Sequence, residues 1–208
     1  MLYGYPGSGK SYFARQLGEN VQAAHIQSDR IRHELFDRPR YDKQENDAIT
    51  HLMDYMSEQF LNAGVSVIYD ANAMRAAQRR ALRDMARKFR AETVLVWLQI
   101  DAESSFARIA GRDRRKLDDK YAMPLDRTTF DKLIGNMQNP SRDEKYIVIS
   151  GKHSFKTQVG SIIKRLRDMG MVSIDEASGK VIKPGLVNLI PNSASGRVDM
   201  SRRNIVIR

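Results

Sequence analysis

Gly4-Tyr5-Pro6-Gly7-Ser8-Gly9-Lys10-Ser11 fits the pattern G-x-x-x-x-G-K-[ST] at every fixed position. The chemistry of polyphosphate binding explains that pattern. A chain that wraps several negative charges must bend through positive φ and approach the oxygens without a Cβ in the way, which glycine permits. The loop amides then point inward as a nest, and the helix that follows presents its positive N-terminal end. On this reading Gly4, Pro6, Gly7, Ser8 and Gly9 shape the cradle and Lys10 reaches the β- and γ-phosphates. Ser11 ligates Mg2+, and Tyr12 completes the nucleotide-binding set. The competing reading is a chance Gly-rich turn, which a strand before and a helix after the loop argue against. Tyr12 to Leu17 is helix-compatible and free of breakers, whereas only Met1, Leu2 and Tyr3 precede the loop. That short lead predicts a natural chain that starts further upstream.

Outward from the loop, strand-like and helix-like segments alternate. Helices are expected over 12–19, 30–36, 43–63, 75–90, 102–110, 126–137 and 154–169, and strands over 23–27, 65–69, 93–100 and 146–149. Ile49, Leu52, Met53, Met56, Phe60 and Leu61 recur near helical spacing, and Val65 to Tyr69 is an apolar run of the buried parallel type. This βαβ rhythm predicts an α/β fold: a parallel sheet between two helical layers, with ligands at the carboxyl ends of the strands. Residues 1–170 form the expected domain, with a lid over about 108–125. Residues 171–208 form a C-terminal extension, read as a small hairpin, an arm or a partly disordered tail. Its turn signals are Ser178-Gly179, Pro184-Gly185 and Pro191-Asn192, with strand-like pieces at Leu186 to Ile190 and Asn204 to Ile207.

The 208 residues contain no cysteine, which excludes a disulfide framework and a thiolate metal site or nucleophile. His25, His33, His51 and His153 are scattered without zinc-type pairing. No apolar run approaches the ~20 residues that span a bilayer, and no secretory leader is readable, so the expected compartment is the cytoplasm. Net charge is +10, and residues 151–208 carry 11 of the 35 Lys and Arg but only 4 of the 25 Asp and Glu. An anionic partner fits that balance, as does a solvated surface.

Two carboxylates fall at strand ends. Asp29 follows the second strand in Ser28-Asp29-Arg30-Ile31-Arg32, where it would take the proton of an acceptor hydroxyl that attacks the γ-phosphoryl group. Capping of the helix is the bland alternative. Arg32, one turn on, would hold a substrate phosphate. Asp70 ends the third strand in Tyr69-Asp70-Ala71-Asn72, where a carboxylate meets Mg2+ or its waters, or positions a neighbour. Ala71 stands where Asp-Glu hydrolases carry the water-activating Glu, which favours transfer over hydrolysis. Arg108 and Arg112 share a helix face at i,i+4, and with Arg114, Arg115 and Lys116 suit a lid that neutralises the transferring group. Arg75, Arg79, Arg83 and Arg87 form a four-residue stripe, read as a solvated face or a nucleic-acid stripe. Arg75 and Arg79 lie nearest the strand edge and, with Asn72, are the candidates there for substrate contact. No Asn-Lys-x-Asp guanine signature occurs.

The phosphate loop, Ser28-Asp29-x-x-Arg32, Asp70-Ala71-Asn72 and Arg108-x-x-x-Arg112 together resemble the AAA_33-like P-loop kinases. Among these the chain is similar, over residues 1 to about 170, to the kinase domain of phage-type polynucleotide 5′-kinases. The resemblance implies a general base at Asp29, an acceptor 3′-phosphate on Arg32, and Arg112 on the ATP phosphates. The first strand is shorter than in that family, its companion phosphatase domain is absent, and the tail past 170 has no counterpart. The expected function is ATP- and Mg2+-dependent transfer to a nucleic-acid 5′-hydroxyl. The alternatives are a small-molecule or nucleotide-sugar kinase of the zeta-toxin kind, or a regulatory nucleotide-binding module without transfer chemistry.

Overall fold

The computed structural model describes residues 1–171 except 22, 114 and 116–118, and beyond these only the paired strands Ser173–Ile174 and Val181–Ile182. The turn signals and strand-like pieces expected elsewhere in the tail, and Arg114 and Lys116 of the lid, lie outside the described residues. The elements are β1 (Leu2–Tyr3), α1 (Lys10–Val21), β2 (Ala24–Gln27), α2 (Ser28–Leu35), α3 (Lys43–Asn62), β3 (Val67–Asp70) and α4 (Ala76–Lys88). They continue as β4 (Leu95–Gln99), α5 (Ala102–Ala110), α6 (Arg127–Gly135), β5 (Tyr146–Ser150), α7 (Phe155–Asp168), β6 (Ser173–Ile174) and β7 (Val181–Ile182).

Several helix starts follow from one residue type. Asp42, Asp101 and Asp126 occupy the capping positions of α3, α5 and α6, and each carboxylate accepts the backbone N–H three residues on, at 2.9, 2.8 and 2.7 Å. Each satisfies a donor that the helix leaves open.

Strands β2 and β3 pair in parallel, as do β1, β4 and β5. The two groups meet through a parallel bridge between Leu2 and Asn72, with the Ala73 amide donating to the Leu2 carbonyl at 3.1 Å. The five strands therefore form one parallel sheet in the order β2-β3-β1-β4-β5. The antiparallel pair β6–β7 stands apart from it, in register Ser173 with Ile182 and Ile174 with Val181.

Alternation along the strands buries both faces, as a parallel sheet requires. On one face Leu2, Ile68, Val96, Leu98, Ile147 and Ile149 pack against Phe13, Ala14 and Leu17 of α1 and Ile162 of α7. On the other, Ile26 and Tyr69 pack against Ile49 and Met53 of α3. Tyr3 and Leu95 form a third cluster with Ala73. The expected three-layer α/β fold is the observed one, and element ends differ from expectation by a few residues at most. The short lead forms a strand because Leu2 and Tyr3 lie in register with Val96 and Trp97 of β4. The connections from β1 and β4 leave in opposite directions, which opens a crevice at their carboxyl ends.

Candidate active site

The loop between β1 and α1 fills that crevice. Gly7 has φ +86°, and a Cβ there would lie 2.3 Å from the Ser105 carbonyl oxygen of α5. Ser105, fully buried, returns the contact by donating its hydroxyl to the Pro6 carbonyl at 2.7 Å. Helix α5 thus clamps the outer side of the loop. Asn72 holds the inner side, its amide Nδ2 donating to the Gly4 carbonyl at 3.0 Å. Lys10 Nζ donates to the Gly4 and Tyr5 carbonyls, both at 2.8 Å. Burial lowers the Lys10 pKa to about 8; Arg112 acts in the same direction, against Asp70 and Asp29.

A cavity of about 720 Å³ opens above the loop. Its walls are the loop and Tyr12, the ends of β2 (Gln27 to Asp29) and β3 (Asp70 to Asn72), and Arg108, Gly111 and Arg112 at the end of α5. Asp119, Ala122, Met123 and Leu125, ahead of α6, also line it, and Gly151, His153 and Phe155 follow β5. Nearby, the Tyr121 ring lies 5.7 Å from that of His33 in α2. Arg112 Nη1 donates to the Met123 carbonyl at 3.1 Å, and its Nε lies 3.8 Å from Asp119 Oδ1. Arg108 Nη1 donates to the Gly151 carbonyl at 3.0 Å.

Asp29 stands in the first turn of α2, facing this cavity. The capping position belongs to Gln27, which makes no side-chain cap, so capping is not what holds the Asp29 carboxylate. Its pKa is raised, first by burial and then by the charge of Asp70, against the opposing pull of Arg32, Arg112 and His33. Asp70, 4% exposed, uses both oxygens: Oδ1 accepts from the Ser11 hydroxyl at 3.2 Å, and Oδ2 meets His25 Nε2 at 2.9 Å. Ser11 Oγ and the Asp70 carboxylate are hard oxygen donors, the set that Mg2+ takes when substrate phosphates supply the remaining positions. The Ser11 proton directed at Asp70 leaves the Oγ lone pairs free for a cation, so these residues fit the ion.

The arginines expected on the acceptor side do not line the cavity. Arg32 is 5% exposed and pairs through Nη1 with Glu45 Oε1, while Nη2 donates to Asn46 Oδ1 at 2.7 Å. The Tyr41 ring packs on its guanidinium at 4.6 Å. Arg75 occupies the exposed capping position of α4, outside the cavity walls. Arg79 is fully buried under the sheet edge and bonds Glu144. The four-residue stripe is therefore not one solvated face, because each step of four advances about 40° around a helix of 3.6 residues per turn. Ser105, His25, Glu45 and Glu144 escaped the sequence reading. Each acts through a partner between 13 and 99 residues away, and no local pattern marks such a pairing.

A family model described as an AAA domain, AAA_33, matches residues 1–140. No curated protein matches the sequence. Among solved structures, Chaetomium thermophilum Kti12 in complex with ADP-AlF3 superposes with a TM-score of 0.63 at 17% identity, covering 80% of this chain and 96% of that one. A sugar kinase from Janibacter sp. HTCC2649 gives 0.57 at 16% identity, covering 80% and 92%. A gluconokinase from Sinorhizobium meliloti 1021 gives 0.58 at 16% identity, covering 81% and 90%. At such identities the likeness is one of fold.

Proposed function

Because the chain belongs to the AAA_33 family of AAA domains, we propose that it is an ATP-dependent phosphotransferase acting on the hydroxyl of a small, uncharged acceptor. The observation that carries this reading is the placement of Asp29 across one cavity from the phosphate loop. A nucleotide-binding module needs no carboxylate there, whereas a transferase needs a base for the acceptor hydroxyl. The acceptor oxygen gives its proton to Asp29 and bonds to the γ-phosphorus as the bond to the β-phosphate oxygen breaks, releasing ADP. Lys10, Arg108 and Arg112 offset the charge on the phosphates. Ser11 with Asp70 would hold Mg2+, which would supply further neutralisation of the phosphates.

Charge placement supports a small acceptor. The lysine and arginines at the cavity are Lys10 of the phosphate loop and Arg108 and Arg112 at the end of α5. Ala71, Asn72, Met74 and Met123 line the same cavity without charge, and the Arg32 charge is offset by Glu45. One of the similar folds is a sugar kinase, which agrees with this reading. The nucleic-acid 5′-hydroxyl reading draws on the resemblance of Ser28-Asp29-x-x-Arg32 and Arg108-x-x-x-Arg112 to polynucleotide 5′-kinases and remains the second arm of the test.

The test supplies ATP and Mg2+ with panels of sugars, polyols and nucleosides, and separately with 5′-hydroxyl oligonucleotides. ADP release and the 31P spectrum of the product are followed. A phosphorylated small molecule is the expected result. An oligonucleotide product moves the acceptor class, and ADP release that no acceptor stimulates removes the transferase reading.

A further inference from the structure

The Asp70 carboxylate is held from both sides, and only one holder belongs to the phosphate loop. Ser11 at the start of α1 donates to Oδ1 at 3.2 Å. On the other side stands His25 of β2, whose Nε2 lies 2.9 Å from Oδ2. Strand register makes this contact: His25 pairs with Ile68 and Gln27 with Asp70, so His25 and Asp70 are diagonal neighbours across the β2–β3 ladder. Helix α1 covers this position, where a Cβ on Gly18 would stand in ordinary van der Waals contact with His25 Cβ, at 3.7 Å. The His25 side chain is 18% exposed and that of Asp70 4%, so water does little to satisfy Oδ2.

We propose that His25 is a positioning residue of the phosphate site, which fixes the Asp70 carboxylate so that its other oxygen orients the Ser11 hydroxyl toward a divalent cation. A carboxylate with one oxygen tied rotates less about its Cβ–Cγ bond. With Oδ2 held by His25, Oδ1 stays on Ser11, the Ser11 proton points at Asp70, and the Oγ lone pairs point to the cation position. The contact requires the proton on Nε2, because an ionised carboxylate only accepts. A histidine that merely filled space under α1 would tolerate an apolar residue of similar volume with no change in cation affinity. His25 touches neither nucleotide nor acceptor positions, so its effect passes through Asp70 and Ser11 alone. The inference rests on the reading of Ser11 as the cation ligand.

The experiment uses Mn2+ as an EPR-visible stand-in for Mg2+, titrated into the full chain with a non-hydrolysable ATP analogue. Three variants, His25→Leu, His25→Gln and Ser11→Ala, are compared with the wild type. Partners one step behind a metal ligand typically contribute about 10–100-fold to metal affinity, so His25→Leu is expected to raise the Mn2+ dissociation constant by that factor. Analogue binding in EDTA stays at the wild-type level in His25→Leu, and His25→Gln, which keeps an N–H donor, recovers most of the Mn2+ affinity. Ser11→Ala separates this inference from the reading beneath it. If Ser11→Ala weakens Mn2+ binding and His25→Leu does not, the role of His25 is overturned while the site stands. If neither changes it, the cation site itself falls and the inference with it. A wild-type measurement covers the case in which His25→Leu fails to fold. Long-range 1H–15N spectra, assigned by comparison with His25→Gln, are expected to show His25 protonated at Nε2, and a ring protonated only at Nδ1 overturns the proposal.

Discussion

Arg79 and Glu144 face each other over two charge-assisted hydrogen bonds, Nε to Oε2 at 2.7 Å and Nη2 to Oε1 at 2.9 Å, and Arg79 has no exposure to solvent. Arg79 Nη1 also donates to the carbonyls of Ala73 at 3.0 Å and Gln138 at 2.9 Å. The pair therefore ties the turn after β3, which carries Asn72, to the segment that precedes β5. Without Arg79, Glu144 keeps only the partly exposed Arg83 and the Ser141 amide, and the Ala73 and Gln138 carbonyls lose their donor, so Arg79→Met is expected to approach the cost of breaking a buried pair, about 3–5 kcal/mol. Lysine has no planar fork to reach the carboxylate and both carbonyls, so Arg79→Lys recovers only part of the loss. Urea unfolding of the two variants checks both statements. A near-neutral Arg79→Met returns this residue to the solvated stripe.

The same contact sets an acid limb for stability. Hydrogen bonds from Arg79, helped by Arg83 and the Ser141 amide, outweigh burial and lower the Glu144 pKa from 4.5 to about 2. A carboxylate whose pKa is depressed on folding stabilises the fold above its unfolded value and loses that contribution as pH falls through the folded one. The stability difference between wild type and Glu144→Gln is thus expected to hold above about pH 5 and to shrink between about pH 4.5 and pH 2. Chemical denaturation across that range measures it. A difference that stays constant with pH would falsify the assignment of this limb to Glu144.

The layers were readable in the sequence because periodicity reports burial. Apolar strands such as Val67–Asp70 and the amphipathic α3 and α7 carry their pattern in consecutive residues. The donor half of the site was readable for a similar reason, since the loop from Gly4 to Ser11 is one continuous motif. The acceptor half was less so. Asp29 could be nominated from its place after β2, but Arg32 could not be followed to Glu45, nor Arg79 to Glu144. Whether an arginine serves a ligand or the fold depends on which carboxylate the topology brings to it, and that carboxylate lies 13 residues away in one case and 65 in the other.

As the base of the proposed transfer, Asp29 would give a pH-dependent rate. Burial and the Asp70 charge raise its pKa above the ordinary 3.8, and a general base must be ionised to accept the acceptor proton. The kcat/KM for the acceptor is expected to fall on acidification through a pKa above the usual aspartate range. Removing the second cause with Asp70→Asn moves the acid limb of the residual activity to lower pH. Asp29→Asn lowers turnover by about 10²–10⁴-fold while nucleotide affinity is kept. Full activity in Asp29→Asn removes the residue from the chemistry.

Lys10 makes nucleotide binding proton-linked. Burial lowers its pKa to about 8, and its ammonium leans on the Gly4 and Tyr5 carbonyls. Arriving phosphates favour the charged form and raise that pKa. Binding at about pH 8 therefore takes up protons, and affinity weakens as pH rises through that value. Calorimetry in buffers of different ionisation enthalpy reads the uptake directly. Lys10→Met removes the linkage along with most of the affinity, and an unchanged proton count in that variant assigns the uptake to another group.

Two glycines of the loop separate folding from binding. Both hold positive φ, +86° at Gly7 and +93° at Gly9. A side chain in that region strains the backbone by about 1–2 kcal/mol. For Gly9 the strain is the whole structural cost, because an added Cβ meets nothing within 4 Å. Gly9→Ala is expected to fold with a melting temperature lower by about 2–8 °C, the shift that such strain produces in a chain of this size. At Gly7 the added Cβ would stand 2.3 Å from the Ser105 carbonyl oxygen and 2.9 Å from Ile109 Cγ1. The first of these is backbone within α5 and cannot swing aside, so Gly7→Ala must part the loop from the helix that clamps it. Its melting temperature falls further than that of Gly9→Ala, and the Ser105–Pro6 contact is lost. Nucleotide affinity falls in both, in Gly9→Ala because the new methyl group stands at the wall of the phosphate cavity. Melting curves and nucleotide titrations of the two variants distinguish the roles, and equal melting temperatures show that the α5 contact does not fix the loop.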